Sequence, residues 1–365
     1  MDIANFTIVQ WYILIIILGT IMFLTKYDNK VICIGTRSFC STRALTTIVC
    51  ALIMIGLASL RTGIGDTSNY ISIFHKIPSE WIEFKSFVDW DGEWGFYLLN
   101  YVIKYVAGDN VNNYLFVTSS VIIGSVVFFS YKNTNNVELC VLIYILSGSY
   151  VSGMNGVRQA FVAGCFVLSY QLIQEKKYVI YVLICLLLLT IHTSAFILIP
   201  MIWILNLKPW KTGTFCLLGL SMVLYVAYPV FSGFLTRALA GSAYEVYSNG
   251  IENFTNGGAN MLRAIILFVP IIMSYIYREQ LEKKYRLFGM VLNASVLNFM
   301  FMFLATVRSW IFARFCLYFN PFSVLLLIWC IELSGKSKKI LYPTCLGAYA
   351  VFFYFEMITT VYAAL

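Results

Sequence analysis

Residues 153–200 read GMNGVRQAFVAGCFVLSYQLIQEKKYVIYVLICLLLLTIHTSAFILIP, two apolar runs separated by a short basic loop at 174–177. This pattern is typical of two membrane helices joined on the cytoplasmic side. Asn155 or Gly156 can cap the first helix, which places Arg158 in its opening turn. The unpaired N–H groups at a helix start are already positive, so an arginine there predicts an anion site.

His192 ends the second apolar run, between Thr190 and Ser194. Placing an imidazole or a guanidinium in apolar surroundings costs free energy, so such a residue is by default interpreted as functional. The alternative is structural, with Arg158 reaching the membrane surface and His192 bonded to a neighbouring helix. We predict that both residues belong to a catalytic site.

The composition of the 365 residues places the chain in a membrane. Hydrophobic residues make up 60% and charged residues 12%, which excludes a water-soluble globule. Residues 1–365 are therefore expected to form one all-α, polytopic integral membrane domain. The net charge of +8 is divided into small basic clusters between apolar runs, so no nucleic-acid partner is expected. The ten cysteines avoid the long polar loops, and no disulfide framework is expected.

The apolar runs predict about twelve membrane helices, several of them short enough to be tilted, broken or re-entrant. They cover residues 8–25, 44–60, 114–131, 137–152, 157–174, 178–192, 194–207, 212–231, 263–277, 288–306, 311–333 and 340–364. Two long polar loops, residues 61–113 and 232–262, interrupt the pattern. The first contains an apolar helix at 94–107 that is too short to span, so we expect it at the membrane interface.

Basic residues set the orientation, because cytoplasmic loops are enriched in Lys and Arg. With the N terminus outside, the inner loops hold most of the 25 basic residues, including the cluster around Lys283. This arrangement requires a break near His192. Both long loops then face outward.

Arginine dominates the basic residues left on the outer side. Four lie close to outward-facing helix ends: Arg158, Arg263, Arg308 and Arg314. A guanidinium fork matches phosphate oxygens in pairs, whereas lysine is a point charge. We predict that Arg263, Arg308 and Arg314 bind a diphosphate. The alternative is contact with lipid phosphates or loop carboxylates.

The first long loop supplies acids and aromatic rings. Asp66 begins a helix that carries Tyr70 one turn later, so it is either an N-cap or a catalytic acid. Glu93 lies between Trp90 and Trp94, and carboxylates beside aromatic faces are typical of sugar binding. We predict Asp66 and Glu93 as catalytic candidates. Sugar-binding candidates are Tyr70, Trp90 and Trp94.

Asp89 and Asp91 also resemble the acidic metal motif of nucleotide-sugar transferases. Hard cations need more oxygen ligands than one such pair supplies. No metal site is therefore expected, and the alternative is a solvated acidic loop.

Several short motifs follow one another along the chain. In order they are Gly65-Asp66-Thr67 with Tyr70 and Phe74, Glu93-x-Gly95-Phe96-Tyr97, Asn155-x-x-Arg158-Gln159, Lys176-Lys177 and His192-x-Ser194, extended by Arg314-Phe315 with Tyr318-Phe319. With them the sequence resembles EpsG-like polysaccharide polymerases, of the broader Wzy type, over roughly residues 60–320. One departure is Gly63-Ile64-Gly65-Asp66-Thr67, where the family more often has Gly-Thr-Asp-Thr.

The resemblance implies a GT-C-like helical fold in the bacterial cytoplasmic membrane. It also implies a glycosyltransferase that joins undecaprenyl diphosphate-linked oligosaccharide repeat units on the outer face. Expected partners are the lipid-linked donor and acceptor and membrane lipids, with a chain-length regulator and a flippase. His192, Asp66 and Glu93 are the candidates for the base. Arginines that neutralise the diphosphate would replace a metal ion, so we expect metal-independent activity without a cofactor.

Two other functions stay open at this point. A flippase or other transporter of lipid-linked sugars would also use outer arginines and aromatic rings. It needs a polar lining toward both faces, however, and the inner half of the chain holds few embedded charges. An O-antigen ligase, a related enzyme with a different acceptor, fits the same residues.

Overall fold

The computed structural model describes residues 2–28, 31–34, 37–228, 258–307 and 310–357, with 233–234 and 237. The described chain is helical apart from one antiparallel hairpin, in which β1 (Val31–Ile34) pairs with β2 (Arg37–Ser41). Contacts divide the chain into two compact units. Unit 1 is Met1–Met201 with Lys339–Leu365, and unit 2 is Ile202–Lys338. The expectation of one integral domain stays a prediction.

The helices that carry the argument are numbered in chain order. They are α1 (Ile8–Leu24), α2 (Thr42–Ser59), α3 (Thr67–Lys76), α4 (Trp81–Phe87), α5 (Trp94–Ala107), α6 (Val111–Asn133), α7 (Val137–Leu146), α8 (Ser149–Ser152), α9 (Val157–Gln174), α10 (Tyr178–Ile191), α11 (Met201–Leu205), α12 (Thr212–Val226), α13 (Met261–Ile276), α14 (Arg278–Lys284), α15 (Phe288–Ala305), α16 (Trp310–Leu333) and α17 (Lys338–Glu356). Short 3-10 helices lie at Ile3–Asn5, Thr193–Leu198 and Gly335–Ser337.

Four described helices are long and apolar enough to cross a membrane: α2, α6, α15 and residues 311–333 of α16. A fifth span is obtained if α13 and α14, bent by 82° where they meet, are counted together. Shorter apolar helices are α1, α7, α10 and α12. The protein is therefore a helical membrane protein, and the count of about twelve spans stays a prediction.

Several predicted boundaries are confirmed and two are wrong. The predicted helices at 157–174 and 94–107 coincide with α9 and α5. The span predicted at 137–152 is broken, because α7 ends at Leu146 and Gly148 takes a left-handed conformation with φ 75°. The span predicted at 194–207 is also broken, into the 3-10 helix Thr193–Leu198 and α11. Helix α16 continues through Pro321.

Helix α6 is the central element of unit 1 and packs against α2, α3, α5, α7 and α9. Its buried face carries small hydroxyl residues that bond to carbonyls of the same helix, such as Thr118 to Tyr114 at 2.9 Å and Ser125 to Ile122 at 2.9 Å. Small side chains allow membrane helices to approach closely. Helix α10 packs against α5 and α9, which brings the start of α5, the start of α9 and the end of α10 together.

A buried ion pair joins the end of α1 to α7, and a tyrosine of α17 is hydrogen-bonded to the same pair. Lys26, just after α1, lies 2.5 Å from Glu138 of α7, and these side chains are 4% and 3% exposed. Lys26 also donates to Asn136, and the hydroxyl of Tyr342 in α17 donates to Glu138 at 3.2 Å. The charges are therefore paired and hydrogen-bonded, as buried charges need to be.

Unit 2 is built around α15, which packs against α12, α13 and α16. Its phenylalanines pack against one another and against α16, with Phe299 and Phe303 at 5.4 Å and Phe301 and Phe319 at 5.9 Å between centroids. Asn298, fully buried, donates to the hydroxyl of Ser323 at 2.8 Å. Such interhelical hydrogen bonds hold helices together in hydrocarbon.

Candidate functional site

Glu93 lies at the centre of the site, at the N-cap position of α5. One of its carboxylate oxygens accepts from a guanidinium N–H of Arg158, and the other lies 2.6 Å from Nδ1 of His192. That second oxygen also accepts the backbone N–H of Thr193 at 2.8 Å and the Thr193 hydroxyl at 3.0 Å. The Glu93 side chain is only 15% exposed. The carboxylate thus joins three segments that are far apart in the sequence.

The end of α10 at Ile191 positions His192. The backbone of His192 is extended, with φ −154° and ψ 123°, and its N–H closes the last turn on the carbonyl of Leu188. Because the helix stops here, the N–H of Thr193 is free of the helical ladder and donates to Glu93. The predicted break near His192 is confirmed, and this break brings the imidazole to the carboxylate.

Arg158 occupies the first turn of α9, after Gly156 at the N-cap. Its guanidinium carbon lies 5.3 Å from the centroid of the Phe96 ring and 5.9 Å from that of Tyr70. The ion pair with Glu93 uses one terminal nitrogen, and the Tyr70 hydroxyl accepts a further hydrogen bond from the guanidinium. The buried Nε has no hydrogen-bond partner within the described residues. The guanidinium therefore keeps donors for an anion.

Asp66 is held beside the start of α9 through Asn155. The side-chain oxygen of Asn155 accepts the backbone N–H of Asp66 at 3.1 Å, so Asn155 does not cap α9. The contact requires Gly65, whose φ is +51° and whose added Cβ would lie 2.4 Å from the Asn155 side chain. Asp66 itself is exposed and makes no side-chain capping bond. Its carboxylate thus stays open at the edge of the site.

Gly95 allows α5 and α10 to pack closely, because it has no side chain at their contact. A Cβ added there would lie 2.0 Å from the hydroxyl oxygen of Thr190 and 3.0 Å from its backbone carbon. No larger residue fits between these helices without moving one of them. Since Glu93 and His192 lie next to this contact on either helix, Gly95 sets the distance between them.

Burial by itself raises the pKa of Glu93. The hydrogen bond from His192, the charge of that imidazole when it is protonated, the hydrogen bond from Thr193 and the charge of Arg158 outweigh burial and lower the pKa from 4.5 to about 2. Glu93 is therefore ionised at neutral pH. A carboxylate can only accept hydrogen bonds, so Nδ1 of His192 carries a proton and Nε2 is the nitrogen left to take one. Glu93 thus orients the imidazole, as the acid does in a Ser-His-Asp triad.

The aromatic residues predicted to bind sugar fall into two groups. The rings of Trp90 and Trp94 lie 5.8 Å apart, and Trp90 is 45% exposed. Tyr70 is only 4% exposed, because its ring packs edge-on against Phe96 at 5.8 Å. Tyr70 therefore has no open face for a sugar, and its observed neighbour is the Arg158 guanidinium.

The remaining predicted arginines belong to unit 2. Arg263 lies in the first turn of α13, and Asn260 caps that helix by accepting the N–H of Leu262 at 2.9 Å. Arg314 lies near the start of α16 and is exposed. Arg308 lies outside the described residues. The diphosphate-binding role of these residues stays a prediction.

Two contributions were not assigned from the sequence. Thr193 follows His192 in the chain, but its double hydrogen bond to Glu93 depends on where α10 ends. Of the two predicted caps, Asn155 and Gly156, the structure has Gly156 at the N-cap of α9, and the contact of Asn155 with Asp66 depends on the turn at Gly65. In the described parts of the chain, no three or more His, Cys, Asp or Glu side chains are grouped so as to hold a metal ion.

Comparison with known proteins supplies the family. The model of the EpsG family matches residues 44–364. The chain belongs to the EpsG family. This is a family of Wzy-like polysaccharide polymerase-type proteins, so the EpsG-family chain is a membrane protein of polysaccharide biosynthesis. No curated protein and no solved structure matches it significantly.

Proposed function

We propose that this EpsG-family protein joins oligosaccharide repeat units carried on undecaprenyl diphosphate, at the outer face of the cytoplasmic membrane. The observation that supports this most directly is the contact of Glu93 with both His192 and Arg158. It combines an oriented proton acceptor with a cation in one site. The basic-residue pattern predicts that this site faces outward.

In the proposed reaction a hydroxyl oxygen of the acceptor sugar attacks the anomeric carbon of the donor. The bond from that carbon to the diphosphate oxygen breaks, and the lipid diphosphate leaves with the electron pair. Nε2 of His192 takes the hydroxyl proton. Glu93 holds the imidazole in the required tautomer and stabilises the imidazolium.

Negative charge develops on the leaving diphosphate, so donors fixed in advance near it lower the barrier. Arg158 is the cation of the site in unit 1, and it retains donors beyond its ion pair with Glu93. From the sequence we also propose that Arg263, Arg308 and Arg314 bind a diphosphate. Arginines in this role make a metal ion unnecessary, so purified enzyme should polymerise in excess chelator. Activity lost in chelator and restored by magnesium would contradict metal independence.

Deletion of the gene, followed by electrophoresis of the surface glycan, tests the proposed function. A single capped repeat unit in the deletion strain, restored to polymer by the wild-type gene but not by His192→Ala, is the expected result. Lipid-linked polymer that never reaches its final acceptor would indicate a ligase. Loss of all surface sugar would indicate a flippase.

A further inference from the structure

Six aromatic side chains of the first long loop form a continuous row that ends at the site. Successive ring centroids lie 5.8 Å apart for Trp94 and Trp90, 6.5 Å for Trp90 and Phe84, 5.5 Å for Phe84 and Trp81, 5.5 Å for Trp81 and Tyr101, and 6.4 Å for Tyr101 and Tyr105. We name these six residues the aromatic row. It starts directly after Glu93 and follows α4 and α5.

The aromatic row offers open rings on a buried base. Trp81 and Trp90 are each 45% exposed and Tyr105 is 78% exposed, whereas Phe84 beneath them is fully buried. Exposed aromatic residues at this density mark a binding surface. Helix α5 has 14 residues and is about 21 Å long at a 1.5 Å rise per residue. The surface is therefore longer than a single sugar ring.

The row is fixed in place by the loop around it. Phe84 packs with Ile77 and Val88 in a small core. Lys104 of α5, which is 7% exposed, donates to the carbonyl of Ile77 at 2.8 Å. Ile77 directly follows α3, so this hydrogen bond holds α5 against the end of α3. The indole N–H of Trp90 donates to a backbone carbonyl at 3.1 Å. A surface ordered before binding loses little conformational freedom on binding.

Exposed carboxylates flank the rings. Asp89 and Asp91 lie on either side of Trp90 in the chain, and Glu80 and Glu83 lie on either side of Trp81. Sugars present C–H groups to an aromatic face and hydroxyl donors at their rim, and carboxylates accept hydroxyl hydrogen bonds. Lys85, whose ammonium lies 6.0 Å from the centroid of the Trp81 ring, offsets one of these four charges. The segment stays net negative, so an anionic bilayer surface would repel it. The combination favours a carbohydrate over a lipid surface.

We propose that the aromatic row binds the glycan chain being extended, a carbohydrate polymer several sugars long, and keeps it beside Glu93 and His192 between successive additions. This inference rests on the proposed polymerase function. Contacts remote from the reacting atoms retain the polymer without changing the bond-forming step itself. Their strength therefore sets how many additions occur before the chain leaves.

The test is the double variant Trp81→Ala/Tyr105→Ala in the full-length protein, reconstituted in nanodiscs with lipid-linked repeat units. Chain length should fall severalfold, and the first joining of two single repeat units should fall much less. Binding of the mature polysaccharide, followed by intrinsic fluorescence, should weaken about tenfold, or 1.4 kcal/mol. The conservative variant Trp81→Phe/Tyr105→Phe keeps the rings and should restore both properties.

Ile82→Ala is the matched control, because Ile82 is 77% exposed among the same residues but has no ring. It should leave chain length and polysaccharide binding as in the wild type. Wild-type length and binding in the double variant would overturn the inference. So would quenching by brominated lipids that is reduced in the Trp81→Phe/Tyr105→Phe variant, with no response to polysaccharide, which would identify the row as a bilayer contact. A gene deletion that leaves polymer intact would instead contradict the polymerase function. The polysaccharide-binding assay distinguishes failure of the glycan-binding inference from failure of the polymerase function.

Discussion

Glu93 is the residue on which the site geometry depends, since one carboxylate receives a guanidinium, an imidazole, a backbone N–H and a hydroxyl. These donors come from α9 and from the segment after α10. Because both oxygens are occupied and the pKa is lowered to about 2, Glu93 is unsuited to take a proton in the reaction. In the proposed reaction Glu93 positions His192 and Arg158.

Glu93→Gln keeps the size of the side chain and removes its charge. The amide nitrogen must then face either Arg158 or His192, both of which are donors, so at least one contact is lost. We expect the joining of repeat units to slow by about a hundredfold or more, on the scale seen when one group of a preorganised site is removed. The measurement is the joining rate at matched expression. Glu279→Gln, an exposed acid outside the site, is the control, and equal rates in the two variants would contradict this role.

The lowered pKa of Glu93 also predicts an acid dependence of stability. The carboxyl group has a pKa of about 2 in the folded protein against 4.5 ordinarily, so its ionised form stabilises the fold. That stabilisation is complete above the ordinary pKa and is lost as the pH falls from about 4.5 through about 2. Thermal unfolding in detergent should show Glu93→Gln losing this part of the acid sensitivity. Parallel curves for the wild type and the variant across that range would show that the carboxylate is not engaged.

At the scale of elements, the site is made by the packing of α5 on α10. Gly95→Ala places a methyl group against Thr190, within 2.0 Å of its hydroxyl oxygen, so the helices must separate and Glu93 must move from His192. We expect loss of polymer together with a lower unfolding temperature. Gly56→Ala is the matched control, because nothing lies within 4 Å of its added Cβ and alanine stabilises a helix interior by about 0.5–1 kcal/mol. Normal polymer from Gly95→Ala would show that this contact can relax.

Local sequence pattern also explains which helix boundaries were predicted correctly. Helices α5 and α9 are flanked by glycine and by polar residues, and their apolar runs have a clear length, so their bounds follow from local pattern. The break in 137–152 was missed because Gly148 lies in an otherwise apolar run, where one glycine is compatible with a helix. Helix α16 crosses Pro321 because neighbouring packing tolerates a proline in a membrane helix.

At the scale of the molecule, the ion pair of Lys26 and Glu138, to which the hydroxyl of Tyr342 donates, connects helices from both ends of the chain. Glu138→Ala leaves a buried cation unpaired and should cost about 3–5 kcal/mol of stability. Glu175→Ala removes the partner of Lys177 in a pair whose side chains are 55% and 47% exposed, and should cost about 0–1 kcal/mol. The free energy of unfolding in detergent distinguishes them. Similar losses would mean that the buried pair does not join the helices.

Topology is also a property of the whole molecule. We expect single cysteines placed in residues 61–113 and 232–262 to react with an impermeant reagent from outside, and those near Lys283 and Lys338 to be protected. The reason is the concentration of lysine in cytoplasmic loops. Permeabilised cells, in which all positions react, are the control. Labelling near Lys283 in intact cells would reverse the orientation and contradict an outward-facing site.

By itself the sequence determined the class of the protein and named the candidate site residues. Apolar runs without charge require membrane helices, and an arginine or histidine among them is too costly to be incidental. What the sequence could not determine was which of these residues meet. Glu93 lies 65 residues from Arg158 and 99 from His192, and local propensity carries no information over such distances. Tertiary structure decided which residues meet, through the contact of α5 with α10 at Gly95, the end of α10 at Ile191 and the turn at Gly65. Close packing leaves the chain only one way to bring these side chains together.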